Sequence, residues 1–225
     1  TDHATHVAGT LIGLGTVASA RGMAPGMKMD AYSATNDDSE MLLAGASYGG
    51  EPGKIYVSNH SYGYLRGWED GDTWWGTYSD NGNPLDDFDA MFGAYNTETA
   101  SLDAMLFSLP YYLSISSSGN QRNDSAPSAG DSWRTAYSPT LYTYNAAQHP
   151  LGDGVYKEGY DTMDQTKTSK NILTVGAVND AVSGSTRNPS LGTISNFSST
   201  GPTDDGRIKP DVVGNGVNLY SAISS

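Results

Sequence analysis

Apolar positions recur at spacings of three and four in two stretches, and helices are predicted there. Over residues 3–14 (HATHVAGTLIGL), Val7, Leu11 and Leu14 share a face, with Thr1 or Asp2 as the N-cap. Over residues 97–109, Leu102, Met105, Leu106 and Leu109 repeat the pattern. A third helix is read over residues 39–48. Alternating or β-branched apolar runs predict strands over residues 27–34, 54–59 (KIYVSN), 111–117 (YYLSISS) and 171–178 (NILTVGAV). Two short strands are expected near 193–198 and 217–222. Residues 64–95 and 121–168 have no period and read as surface insertions on a single domain spanning 1–225. Alternating helices and apolar strands predict an α/β fold with a largely parallel sheet flanked by helices.

Composition narrows the function classes. The 225 residues carry a net charge of −13, with a pI near 4.4 and a mean hydropathy of −0.46. A nucleic-acid groove needs a basic footprint, so nucleic acid is excluded as a partner, and an anionic membrane surface is disfavoured likewise. No run of about 18 apolar residues is present to span a bilayer. The amino-terminal residues lack a basic stretch followed by an apolar one, so no leader is expected within this chain. The absence of cysteine excludes disulfides, zinc thiolates and a cysteine nucleophile. Acidity concentrates between Asp37 and Glu98, where twelve acidic residues face only Lys54 and Arg66. Within that stretch, Asp80-Asn81-Gly82-Asn83 and Asp86-Asp87-Phe88-Asp89 cluster the hard oxygen donors that Ca²⁺ prefers. Calcium is therefore the one candidate cofactor, solvated acidic turns being the plainer reading, and none is required. The tryptophans Trp68, Trp74 and Trp75 are expected to pack their insertion down.

Two constellations carry candidate chemistry. His3 and His6 stand three apart at a helix start among Ala4, Ala8 and Gly9, whose small side chains allow close packing. A histidine so placed suits general-base work, whereas two ligands at this spacing make a poor metal site. Separately, Gly45-Ala46-Ser47-Tyr48-Gly49 matches the G-x-S-x-G elbow of α/β-hydrolases, with Asp124 or Asp131 and then His149 downstream in the right order. That elbow needs a strand before Ser47 and a helix after it, and the periodicity reads the other way round.

The stretch Asp2-His3-Ala4-Thr5-His6-Val7-Ala8-Gly9-Thr10 resembles the histidine motif of subtilisin-like serine peptidases, H-G-T-H-V-A-G-T, with Ala4 in place of the usual glycine. Further matches follow in order: Gly22-Met23-Ala24-Pro25, Val57 through Gly63, Ser116-Ser117-Ser118-Gly119-Asn120, Asn171 through Ala177, Phe197 through Pro202, and Lys209-Pro210-Asp211-Val212. Together they span nearly the whole chain. The resemblance implies a subtilisin-like fold and peptide-bond hydrolysis by a Ser–His–Asp triad, on polypeptide substrates and usually outside the cell. His3 would be its general base and Asn120 its oxyanion donor. Ser61, Tyr62 and Gly63 would form the strand that pairs with an extended substrate. Ser117, Ser118 and Gly119 would wall the pocket for the residue before the scissile bond.

The departures are as informative. Only Thr1 and Asp2 precede His3, and Asp2, adjacent on a helix, is poorly placed to orient it. No G-T-S-M-A nucleophile motif occurs, and Gly214-Asn215-Gly216 stands where the family has A-P-G. The expectation is a subtilisin-like domain truncated at both ends and inactive alone. Its sheet would have an uncovered edge, for which a second copy of the chain is one candidate cover. A non-catalytic peptide-binding module on the same scaffold is the alternative.

Overall fold

The computed structural model describes residues 1–77, 89–155 and 157–224. In chain order it contains α1 (Asp2–Ile12), α2 (Asp37–Ala44), β1 (Val57–His60), β2 (Trp68–Glu69), β3 (Thr73–Trp74), α3 (Thr97–Phe107) and β4 (Leu113–Ser117). These are followed by β5 (Ser132–Thr135), β6 (Tyr142–Thr143), β7 (Ile172–Val178), β8 (Val182–Ser183), β9 (Thr186–Arg187) and β10 (Val212–Asn215).

The main sheet has the order β1-β4-β7-β10, and every pairing in it is parallel. This is the α/β architecture expected from the apolar strands and intervening helices. Its two faces differ in chemistry. Ser58 pairs with Ser114, and His60 with Ser116; Ser114 pairs with Ile172, and Ser116 with Thr174. In-register residues of parallel strands share a face, so one face is largely polar. That face is the buried one: Ser114, Ser116, Ile172 and Thr174 are all buried. The opposite face carries Val57, Leu113, Ile115, Leu173 and Val175, and Val57 is 56% exposed and Leu113 41%.

Helices α2 and α3 cover the polar face. Met41 of α2, Leu106 of α3, and Leu109, Tyr112 and Ile172 form its apolar core, with Ile55, Leu102 and Met105 packed against them. Asn96 caps α3, its side chain accepting from the Thr99 amide at 3.1 Å. One turn later, buried Asp103 fixes the approach to β7. It accepts from Tyr95 Oη at 2.8 Å, Ser169 Oγ at 2.5 Å, the Lys170 amide at 2.9 Å and the Asn171 amide at 2.8 Å. Burial alone would raise its carboxyl pKa, but these donors outweigh burial and hold it below the ordinary aspartate value.

Helix α1 buries no residue. Its last carbonyls are instead met by the following turn: Gly22, Met23 and Ala24 amides donate to Gly13, Thr10 and Leu11 at 2.8, 2.9 and 2.7 Å. The segment after β10 lies along it, with Ser221 Oγ donating to the His6 carbonyl at 2.7 Å. A Cβ on Gly9 would stand 2.5 Å from that hydroxyl and 2.9 Å from Ala222, so this contact requires glycine.

Three strand expectations change. Residues 27–34 form no ladder, and Met27, Met29 and Tyr32 are exposed. Alternation marks a segment suited to a strand, but a strand needs a partner, and β1 leaves its outer edge unpaired in the main sheet. The last strand is β10, upstream of the expected 217–222. Near 193–198 only Ile194 makes an isolated bridge, to Val178.

The two aperiodic insertions meet each other. Strands β2, β3, β5 and β6 form a second sheet around Trp68, Trp74, Trp133 and Tyr144. The packing role expected of Trp68 and Trp74 is thus what the structure shows. Two buried carboxylates pin its start: the Gly67 amide donates to Asp89 at 3.1 Å, and the Trp68 amide is shared between both Asp153 oxygens at 3.1 Å. A Cβ on Gly67, whose φ is +61°, would fall 2.1 Å from Asp153, so both conformation and space require glycine there.

Candidate active site

Residues 117–120 end β4 at the carboxyl edge of the main sheet, where open α/β sheets place their ligands. Gly119 adopts φ +108°, and a Cβ there would lie 2.5 Å from Gln121 Oε1 and 2.9 Å from Ser199 Oγ. Only glycine meets both conditions, and it turns the chain so that Asn120 is exposed at the sheet edge. Asn120 is anchored by its backbone, the amide donating to Gln121 Oε1 at 3.0 Å. Its carboxamide makes no hydrogen bond among the described residues. Ser118 is buried, its amide bonded to the Val175 carbonyl at 2.9 Å and its hydroxyl 3.3 Å from Ser198 Oγ. Ser117, Ser118, Gly119 and Asn120, with Val175–Ala177 and Gly214–Gly216, line a shallow pocket of about 170 Å³.

Residues 61–63 continue β1 beyond its last ladder pair. Ser61 Oγ accepts from Asn59 Nδ2 at 2.9 Å. The Tyr62 carbonyl accepts from Lys167 Nζ at 2.5 Å. No other backbone hydrogen bond is formed by 61–63 among the described residues. A Cβ on Gly63 would collide with Asp164 Oδ2 at 2.5 Å and approach Lys167 Nζ to 3.2 Å, so glycine admits these two side chains beneath the strand. Tyr62 and Gly63 line a second cavity, of about 410 Å³, between β1, β4 and the helices α2 and α3.

A chain of hydrogen bonds backs this strand. Ser58 Oγ lies 2.5 Å from Tyr112 Oη and 2.6 Å from His60 Nε2. His60 Nδ1 lies 2.6 Å from Tyr62 Oη, which donates to Asp37 Oδ2 at 2.9 Å. One proton order satisfies all five groups: Tyr112 to Ser58, Ser58 to Nε2, Nδ1–H to Tyr62, and Tyr62 to the carboxylate. Burial pushes the His60 imidazole below its usual pKa, Asp37 opposing and Lys167 assisting. Burial and the bond to Asp37 push the Tyr62 hydroxyl up. Residues 61–63 are thereby fastened to the amino-terminus of α2.

His3 sits exposed in the first turn of α1, whose N-cap is Thr1, accepting from the Ala4 amide at 3.3 Å. It lines neither cavity. The Asp2 carboxylate accepts from the amide and hydroxyl of Ser224 rather than turning to His3. Ser47 follows a helix, not a strand, and its hydroxyl bonds Glu51 at 3.0 Å. His149 accepts from the Asn145 amide at 3.0 Å and packs on Trp133. Ser47 and His149 are thus each engaged by other neighbours, and the helix before Ser47 is not the strand the elbow needs.

The calcium candidates at 80–83 and 86–88 lie outside the described residues. Asp89 is described, and its carboxylate already accepts from the amides of Gly67, Thr77 and Met91. Among the described residues, no helix is long and apolar enough to cross a membrane.

The subtilase family model matches residues 1–225, the whole chain. No curated protein matches. The chain belongs to the subtilase family, whose members are serine peptidases.

Proposed function

We propose that the chain is the substrate-binding and base-bearing part of a subtilisin-type serine endopeptidase. Asn120 carries this reading: a carboxamide without a hydrogen bond among the described residues, set by a glycine turn at the carboxyl edge of β4 in the wall of a shallow pocket. It would donate to the oxyanion of the tetrahedral intermediate. Residues 117–119 would wall the pocket for the side chain before the scissile bond. The backbone of 61–63, whose amides make no hydrogen bond among the described residues, would take an extended polypeptide by strand addition. His3 would act as general base once an aspartate orients it and a serine stands beside it. The usual habitat of such peptidases is extracellular, which the acidic, cysteine-free composition suits. Calcium, if bound, would sit in the acidic stretch around residues 80–89.

Asp2 turned to Ser224 favours a second reading, peptide binding without cleavage. One pair of measurements separates the outcomes. The 225-residue chain is expected to show no turnover of a fluorogenic tetrapeptide above buffer. Millimolar extended peptide should slow hydrogen exchange at residues 61–63. Enzyme-level turnover would overturn the inactivity, and unprotected amides would sink strand addition. Joined to segments bearing an aspartate strand and a serine motif, the chain should cleave peptides. His3→Ala should then lower kcat about 10³-fold; a chimera that binds peptide but never cleaves it leaves the binding module standing.

The half-exposed apolar face with Val57 and Leu113, next to the unpaired edge of β1, is the surface we assign to a second copy of the chain. Sedimentation equilibrium should show a dimer, and a monomer at tens of micromolar refutes it.

A further inference from the structure

The geometry points to a second nucleophile–base pair, Ser116 with Lys167, in the larger cavity, able to accept an acyl group from short-chain carboxylic esters. Its chemistry is separate from that of the peptidase reading, because neither His3 nor Asn120 lines this cavity, although Tyr62 and Gly63 of the proposed substrate strand do.

Both side chains are buried, Ser116 at 5% and Lys167 at 4% exposure, yet both line the cavity wall. Lys167 Nζ lies 2.9 Å from Ser116 Oγ, within the reach required of a base for its nucleophile. Its other polar contact is the Tyr62 carbonyl at 2.5 Å. Among the described residues no carboxylate lies within ion-pair distance of this nitrogen. A buried ammonium with only neutral partners is costly. A neutral amine in the same place is not, and its lone pair can take the Ser116 proton while one N–H stays on Tyr62. Burial lowers the Lys167 pKa, while the more distant Asp164 and Asp37 carboxylates pull it back up. His60, whose carbonyl accepts from Ser116 Oγ at 3.3 Å, and the Tyr62 hydroxyl face the pair, and Asp38, Tyr64 and Glu98 are the other titratable residues of the cavity wall. Gly63 and Tyr64 line the same cavity, and no hydrogen bond engages their amides among the described residues. They are the available donors for a developing oxyanion.

The reaction balances without another reagent. Neutral Lys167 removes the Ser116 hydroxyl proton as Oγ bonds to the ester carbonyl carbon. The tetrahedral adduct collapses, its C–O bond to the alcohol breaks, and the departing alkoxide takes the proton from the Lys167 ammonium. Acyl-Ser116 and free alcohol result. Water, deprotonated by Lys167, then returns the carboxylic acid and the serine hydroxyl. The cavity of about 410 Å³ sets the size of the acyl group.

The test is p-nitrophenyl acetate with the intact 225-residue chain, followed by nitrophenol release, intact mass and peptide mapping. Acetylation is expected on Ser116, with a rate that rises with pH to a midpoint below the ordinary lysine pKa. Ser116→Ala should abolish that adduct. Lys167→Arg keeps N–H donors but, always protonated, cannot serve as base, so it should slow release at least about 10²-fold. Circular dichroism of each variant establishes folding, and if the arginine variant fails to fold, the site of acetylation and the Ser116→Ala result decide. No adduct, acetyl on Lys167 itself, or an arginine variant as fast as the parent overturns the pair. Failure of the peptidase reading is read separately, from peptide turnover by the chimera.

Discussion

Trp68→Ala should lower stability by about 4 kcal/mol, the range found for emptying a buried large aromatic site. Trp68 is fully buried at the centre of the second sheet. Its ring meets Trp74 and Trp133 edge-on at 5.3 Å and Tyr144 at 5.8 Å, and its indole N–H donates to the Leu151 carbonyl at 3.0 Å. Both insertions converge on this one side chain, so removing it leaves a cavity that neither can close alone. Urea unfolding followed by near-ultraviolet circular dichroism measures the loss. Trp68→Phe keeps most of the packing and should cost less than half as much. A urea midpoint unchanged in Trp68→Ala would show that the second sheet adds nothing to cooperative stability.

The second large effect is on pH dependence. Burial drives the Asp153 carboxyl up to about 9, opposed by the Trp68 amide and reinforced by the Asp124, Asp89 and Glu69 carboxylates around it. From about pH 4 to about pH 9 the folded chain therefore holds a proton that the unfolded chain has released. Stability is greatest below the unfolded pKa and is lost as pH rises toward the folded one, by at most about 1.4 kcal/mol per pH unit. Asp89, Asp124 and Glu69 are also raised, each chiefly by burial, so the whole group acts in one direction. The melting temperature should fall between pH 5 and pH 8.5. Asp153→Asn, which keeps an acceptor for Trp68 and resembles the protonated acid, should flatten that fall and raise Tm at pH 8.5. Equal slopes in the two proteins would show that Asp153 does not carry the dependence.

How far the sequence reveals this structure depends on the range of the interactions. Helices α1 and α3 are legible because a local spacing of three and four encodes them. Strand β4 is legible from its apolar–polar alternation and β7 as a β-branched run. The second sheet is not, since Thr73 pairs with Arg134 across some sixty residues and neither segment has a period of its own. Strand β10 is masked by Gly214 and Gly216, which read as breakers, while the alternation that follows draws the strand downstream. Asn120 is placed by its neighbour Gly119, a local signal. Lys167 gives none: a lysine between threonines in an aperiodic stretch looks solvent-exposed, and only the tertiary fold buries it under Tyr62.

The buried polar face of the main sheet has a consequence for temperature. Unfolding it hydrates the hydroxyls of Ser114, Ser116 and Thr174, and polar hydration lowers the heat capacity that apolar hydration raises. Val57 and Leu113, on the other face, are already wet in the folded state and add little when it opens. The heat-capacity increment of unfolding should therefore fall below the ~12–15 cal/mol/K per residue of ordinary domains. A smaller increment flattens the stability curve, so the fold weakens gradually on both warming and cooling.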